Sequence, residues 1–223
     1  MATTKITDLF NDKFFEIPRY QRGYAWEKQH IREMFEDIKE AIDTNSSHYI
    51  GTVVLSKCSS DPKKFYIVDG QQRLTTITLL IAQLLNRIKD SYIKIYQEMH
   101  YIKRGAQYSL KPLERDVELF HQLIDGDISA VPQNKSQRYM IEAVEEMKYQ
   151  IDSLQNPEQF LDAIGNLEIM EFIENSEGDA IRIFQTVNDR GKALSNMEKI
   201  KSLLIYFSNR YLDKKWVTCK TLC

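Results

Sequence analysis

The sequence predicts an α+β fold, in which a mixed sheet carries an extensive helical elaboration. Two β-branched apolar runs, residues 49–56 and 65–68, have the composition of buried strands. A wide apolar stripe at helical spacing follows over residues 74–88 and indicates a helix packed inside the domain. A third strand is predicted over residues 168–173. We therefore expect the first two runs to be adjacent strands, with helices in most of the remaining chain.

The other elements are predicted by periodicity and by residues that stop helices and strands. Pro18 ends a short extended run, because the residue before a proline is driven away from helical geometry. In chain order, the further predictions are an extended run over 14–17, a helix over 31–42, helices over 114–124 and 138–154 separated by a loop over 125–137, a helix over 180–187, and a helix that a capping box opens at 195–198.

Composition excludes several classes of protein. The chain has 223 residues with 43% hydrophobic and 28% charged residues, which is typical of a folded globular domain. Its net charge of −2 provides no global basic field for nucleic acid. Apolar runs of about 18 residues and a signal peptide are both missing, so we expect no membrane contact and a cytoplasmic location. Three cysteines and four scattered histidines predict neither a disulfide framework nor a zinc or nuclease cluster.

The strongest local pattern is the junction between the second strand and the helix after it. Gly70 lets a phosphate approach the backbone closely, and a helix N-terminus there is a natural anion site. Gln71 and Gln72 add amides, and Arg73 adds a fork of donors that suits phosphate oxygens. Asp69 is placed to hold Mg²⁺ or to orient a water. The alternative is structural: the aspartate caps the helix and pairs with the arginine.

The loop over residues 18–26 is a second candidate site. Arginine with interleaved aromatic residues can hold phosphates and stack on a base, and this loop contains Tyr20, Gln21, Arg22 and Trp26. Two arginines in a short polar loop also favour an anionic partner. The alternative is that the aromatic side chains of this loop, Trp26 above all, anchor it to the core.

The third candidate is the turn over residues 188–191, which contains Asn188, Arg190 and Gly191. Positive charges outnumber negative ones between residues 182 and 201, which favours an anionic ligand. The alternative is an ordinary C-cap turn with a solvated face, which is the more common role of such a segment.

Three stretches together carry a family resemblance: IPRYQRGYAW at 17–26, IVDGQQRLTT at 67–76 and FQTVNDRGKALS at 184–195. They resemble the N-terminal domain of GmrSD-type, modification-dependent restriction endonucleases, within the ParB/sulfiredoxin-like superfamily. The three matches occur in the family's order and span nearly the whole chain. The third departs at its end, where the family usually has an aspartate and this chain has Met197-Glu198.

The resemblance implies a small ParB/sulfiredoxin-like mixed sheet with helical elaboration. The nucleotide-binding part would cover residues 1–90, a helical insert 91–167, and a return strand with helices 168–223. It also implies binding and hydrolysis of a nucleoside triphosphate with Mg²⁺. The expected site residues are Asp69, Gln72 and Arg73 for catalysis, Asp69 for the metal, and Tyr20, Gln21, Arg22, Trp26, Gly70, Gln71, Asn188 and Arg190 for the nucleotide.

The resemblance further implies a role in phage defence, in which hydrolysis is linked to recognition of modified or foreign DNA. Cleavage would come from an HNH nuclease domain or subunit that this sequence lacks, so we expect the chain alone not to cut DNA. A homodimer is a further expected partner. Two other functions stay open: a non-catalytic DNA-sensing module, and a ParB-like phosphotransferase or protein kinase.

Overall fold

The structure is a computed structural model that describes the backbone of residues 2–188 and the side chains of residues 3–182. The strands are β1 Ala2–Lys5, β2 Phe14–Glu16, β3 Tyr49–Lys57, β4 Lys64–Asp69, β5 Lys103–Arg104, β6 Gln107–Tyr108, β7 Leu110–Lys111 and β8 Glu168–Glu174. The helices are α1 Ile6–Phe10, α2 Lys28–Thr44, α3 Gln71–Arg87, α4 Ser91–Tyr101, α5 Val117–Ile124, α6 Lys135–Asp152, α7 Pro157–Asn166 and α8 Glu177–Asn188, with a 3₁₀ turn at Glu114–Asp116.

Six strands form one mixed sheet in the order β1-β8-β3-β4-β2-β7, and β5 pairs with β6 in a separate hairpin. The pairs β1/β8 and β3/β4 are antiparallel, whereas β8/β3, β4/β2 and β2/β7 are parallel. The expected adjacency of the first two predicted strands is therefore confirmed. A register shift at Val54/Leu55 places Val54 opposite Asp69, so the sheet is irregular where β4 ends.

The two faces of the sheet are covered by different helices. Because side chains alternate along a strand, Val53 and Leu55 of β3 belong to the main core, which also contains apolar residues of α1 to α7. Val54 points the other way and packs with Val68, Ala180 and other residues in a smaller cluster that α8 covers. The α8 segment therefore lies across the sheet from the helical body.

Helix α3 is the centre of the helical body. Fourteen of its seventeen residues are buried, including polar ones. The threonines in its middle satisfy their hydroxyls locally: Thr76 and Thr78 donate to the carbonyl groups of Gln72 and Leu74, each at 2.8 Å. Because α3 is buried along its whole length, the position of its N-terminus is fixed.

Some sequence predictions were wrong in detail. The predicted loop over 125–137 is too long, because α6 begins at Lys135. Asn134 caps it by accepting a hydrogen bond from the Gln137 amide at 3.0 Å. The helix predicted from residue 114 starts as a 3₁₀ turn. The sequence patterns did not predict β1, α1, α7 or the two-residue strands as separate elements.

The division into three parts stays a prediction, although β7 and helices α4 to α7 of the expected insert share the sheet and the main core with the rest. The expected helix at 195–198 lies outside the described residues. None of the helices within residues 2–188 combines the length and the apolar character needed to cross a membrane.

Candidate functional site

The site is built on the junction between β4 and α3. Strand β4 ends at Asp69, and Gly70 takes the N-cap position with a φ of 92°. That left-handed backbone favours glycine, and a Cβ there would lie 3.1 Å from the Thr52 carbonyl oxygen. Since Gly70 offers no side-chain cap, the first amide groups of α3 lack the usual side-chain acceptor. A helix N-terminus of this kind attracts anions.

Asp69 carries a partly buried carboxylate that lies within electrostatic range of two arginines. Burial raises its pKa above the ordinary value, while the charges of Arg73 and Arg22 and a hydrogen bond from the Gly70 amide act in the opposite direction. Among the described residues Asp69 forms no ion pair, so the expected alternative of a simple Asp69–Arg73 bridge does not describe this geometry. Both arginines nevertheless act on the same carboxyl group, which places the first two sequence motifs at one corner.

The direction of Arg73 is set by strand β3. Its Nη1 donates to the Thr52 carbonyl oxygen at 2.7 Å. Its guanidinium also lies against Gly51, where a Cβ would come within 3.0 Å of Arg73 Cζ and where φ is 108°. Gly51 and Thr52 are therefore site residues that sequence reasoning missed. The signal was a glycine inside an otherwise β-branched strand, which often marks a bulge or a close approach.

The two glutamines of the junction bind the backbone of the loop over residues 18–26, which contains Arg22. Gln72 accepts from the Ala25 amide at 2.8 Å and donates to the Gly23 carbonyl at 3.1 Å. Gln71 donates to the Arg22 carbonyl at 3.1 Å. Because both ends of the Gln72 amide are used in this way, its geometry is that of a positioning residue. Its catalytic role stays a prediction.

Two further residues of the loop meet the end of β4 and the start of α8. Gln21 donates to the Val68 carbonyl at 2.7 Å. The hydroxyl of Tyr20 is buried close to the Glu177 carboxylate, and burial together with that carboxylate raises the Tyr20 pKa. The loop thus lies beside the end of β4 and the start of α8, next to Asp69.

The aromatic residues at the end of the loop are held within the protein. Trp26 is half-buried, packs against the main core and stacks on the His30 ring at 5.6 Å. Tyr24 is buried and shares a 2.8 Å hydrogen bond with Thr76 of α3. These contacts match the expected alternative in which the aromatic residues anchor the loop, and a nucleotide-stacking role for Trp26 stays a prediction.

A buried polar network connects the loop to α6. The Ser136 hydroxyl accepts from the Tyr24 amide and donates to Asp116 Oδ2, both at 2.8 Å. Gly23 lies so close that a Cβ would meet Ser136 Cβ at 2.7 Å. Beside this network is a cleft with room for about one water, which Gln71 helps to line. The buried Oε1 of Gln71 has no hydrogen-bond partner among the described residues. The helical body therefore positions the loop that carries Arg22.

The third candidate motif is described only at its start. Helix α8 ends at Asn188, whose side chain lies outside the described residues, and Arg190 lies outside them as well. No group of three or more potential metal-binding His, Cys, Asp or Glu side chains occurs in the described part of the chain. The single, partly buried carboxylate of Asp69 fits Mg²⁺, which is often held by one or two carboxylates plus nucleotide phosphates.

The protein thus combines a mixed sheet, an Asp-Gly-Gln-Gln-Arg sequence at a strand–helix junction and a large helical body. Together these features define its class. The family model described as the N-terminal domain of GmrSD restriction endonucleases matches residues 6–205. The chain therefore belongs to this family and is a domain of a restriction system. No curated protein matches the chain.

Proposed function

We propose that this chain binds and hydrolyses a nucleoside triphosphate with Mg²⁺ at the corner formed by residues 69–73, as the regulatory domain of a modification-dependent restriction system. The observation that carries the proposal is the electrostatic environment of Asp69. A partly buried carboxylate, the charges of the two arginines that act on it and the uncapped N-terminus of α3 occur together at this junction. The family match supports the link to restriction of modified or foreign DNA.

The proposed phosphoryl transfer depends on the positive charges at the junction between β4 and α3. Phosphoryl transfer depends mainly on positioning and on stabilising negative charge that spreads over the phosphate oxygens. The N-terminus of α3 supplies about half a positive charge, and Arg73 and Arg22 supply two more. When bound, Mg²⁺ would neutralise phosphate charge opposite the arginines, with Asp69 as its protein ligand. Arg73 is preorganised by the Thr52 carbonyl, so little reorganisation is required when charge develops.

The test is release of phosphate from ATP and GTP by the purified chain with Mg²⁺. Asp69→Asn should abolish release. The matched control Asp152→Asn, on an exposed face of α6, should leave the rate unchanged. Failure of the wild type to bind or hydrolyse any nucleotide would contradict the proposal.

Other outcomes separate the alternatives. Nucleotide binding without hydrolysis would favour a non-catalytic DNA-sensing module. Transfer of a labelled phosphate to protein would favour a phosphotransferase or kinase. Adding modified phage DNA tests the expectation that cleavage requires an HNH nuclease, because reproducible double-strand breaks by this chain alone would contradict it.

A further inference from the structure

Tyr49, the first residue of β3, is an exposed aromatic side chain near the proposed nucleotide site. It is 50% exposed. The other large apolar side chains that are exposed within residues 3–182 lie on α4, on α6 or in the loop that precedes α6. A single exposed tyrosine is ordinary on a protein surface, so its neighbours decide whether it can bind a ligand.

Tyr49 is connected to Arg73 through Thr52. The Tyr49 hydroxyl lies 3.1 Å from Thr52 Oγ1. The carbonyl oxygen of the same Thr52 accepts the 2.7 Å hydrogen bond from Arg73 Nη1. Gly51 lies between the two positions in the chain, and the Arg73 guanidinium lies against its backbone. One short segment, residues 49–52, therefore contacts Arg73 and carries the exposed ring.

An irregularity of β3 brings Tyr49 and Thr52 together. Tyr49 pairs with Glu168 and Thr52 pairs with Met170, so β3 takes three steps where β8 takes two. Residues three apart on a regular strand point to opposite faces, but the extra residue of a bulge breaks this alternation. The contact between the two hydroxyl groups follows from this change of direction. Bulges that re-aim a side chain are over-represented next to active sites.

We propose that Tyr49 is the residue on which the base of the bound nucleotide stacks. This inference rests on the proposed function, in which the phosphates bind at the N-terminus of α3 beside Arg73. Because the ribose separates the base from the phosphates, a stacking residue has to lie near the phosphate site without being part of it. Tyr49 meets this condition, since Thr52 links it to Arg73.

The aromatic residues of the loop over 18–26 are less suited to this role. Tyr24 is buried and hydrogen-bonded to Thr76, and Trp26 packs against the main core. Tyr49 instead has half of its surface open to a ligand. Stacking on an aromatic ring accepts any base, because every base has a π-face. Tyr49 would therefore strengthen the binding of ATP and of GTP without choosing between them.

The test is calorimetric titration of the whole 223-residue chain, with Mg²⁺, against ATP and against inorganic tripolyphosphate, which carries phosphates but no base. Tyr49→Ala should raise the dissociation constant for ATP about tenfold or more and leave that for tripolyphosphate unchanged. Tyr49→Phe keeps the ring and should bind ATP as the wild type does. The matched control Tyr149→Ala, at a tyrosine of α6 that is 74% exposed, should change neither affinity.

The outcomes separate the stacking role from the proposed function. A wild-type chain that binds neither ligand contradicts the proposed function and the stacking role with it. If the wild type and Tyr49→Ala bind ATP equally tightly, nucleotide binding stands and the stacking role is overturned. Equal losses of affinity for ATP and tripolyphosphate also overturn it, because Tyr49 then acts by positioning Thr52 and Arg73.

Discussion

The guanidinium group of Arg73 lies against the backbone of Gly51, where a Cβ atom would come within 3.0 Å of Arg73 Cζ. Arg73 lies in the first turn of α3, and Gly51 lies in β3 with a φ of 108°. The strand therefore determines where the positive charge of the junction is held. Four predictions concern this junction, the loop that it holds and the ion pair between α2 and α6.

The first concerns Gly51 itself. Gly51→Ala should displace the Arg73 side chain and reduce nucleotide hydrolysis strongly, because a charge-stabilising donor works only in its correct position. It should also lower stability by about 1 kcal/mol or more, since alanine is strained at positive φ. Steady-state kinetics and thermal unfolding measure the two effects. Gly105→Ala is the matched control, because Gly105 also has a positive φ of 62° but has open space around it. Equal losses of hydrolysis in both variants would show that backbone strain, and not Arg73, is responsible.

The second concerns Gln72. Gln72→Ala removes the two hydrogen bonds that hold Gly23 and Ala25, so the loop that carries Arg22 should loosen. We expect a loss of stability of about 1–3 kcal/mol from unpaired backbone groups, together with weaker nucleotide binding.

The matched control for Gln72 is Gln83→Ala. Gln83 is also a buried glutamine of α3, and it donates to the Leu123 carbonyl at 2.7 Å near the far end of the helix. Calorimetry should show a similar loss of stability but unchanged nucleotide affinity. If Gln72→Ala lowers kcat alone and leaves affinity intact, Gln72 acts in catalysis as the family resemblance implies, and the positioning role is wrong.

The third prediction concerns pH and the pair that joins α2 to α6. Arg32 donates to both carboxylate oxygens of the buried Glu146, at 2.9 and 3.1 Å. These hydrogen bonds lower the Glu146 pKa in the folded state. A carboxylate whose pKa is lowered on folding stabilises the protein above its unfolded pKa, and that contribution is lost as pH falls through the folded pKa.

Arg32→Ala should therefore lower the free energy of unfolding at neutral pH by about 1–2 kcal/mol, a modest value because Arg32 is half exposed. The difference from wild type should shrink as pH falls below the ordinary glutamate range. Urea unfolding at several pH values measures it. Arg138→Ala, which breaks the exposed pair with Glu142, is the control and should change stability little. If Arg32→Ala lowers the free energy of unfolding by the same amount at neutral and at acidic pH, Arg32 does not lower the pKa of Glu146 and the prediction is wrong.

The sequence predicted the parts of the site that depend on local pattern. The strand-turn-helix at 65–73 was recognisable because β-branched residues, a glycine and a helical stripe follow one another directly. The contact between Gly51 and Arg73 was not predictable in the same way. It depends on an irregular register of β3 against β8, between Tyr49 and Thr52, which no local pattern encodes.

The contacts of Gln72 with the loop and the short strands were not predicted, for a related reason. Gln72 contacts a loop almost fifty positions earlier, and the path of that loop is fixed by Ser136 of α6. Strands β5, β6 and β7 have two residues each, which is too short for a period of two to be visible. Long-range contacts and very short elements become clear only in the folded chain.

The most direct test of the central claim is the rate of nucleotide hydrolysis by Arg73→Ala. Loss of one preorganised donor should cost about 2–4 kcal/mol in transition-state stabilisation, or roughly 30- to 1,000-fold in rate. The fold should persist with a loss of about 1 kcal/mol from the Thr52 hydrogen bond. A wild-type chain that hydrolyses nucleotide and a folded Arg73→Ala variant that has lost this activity would agree with the account. An Arg73→Ala variant that hydrolyses nucleotide at the wild-type rate would contradict it.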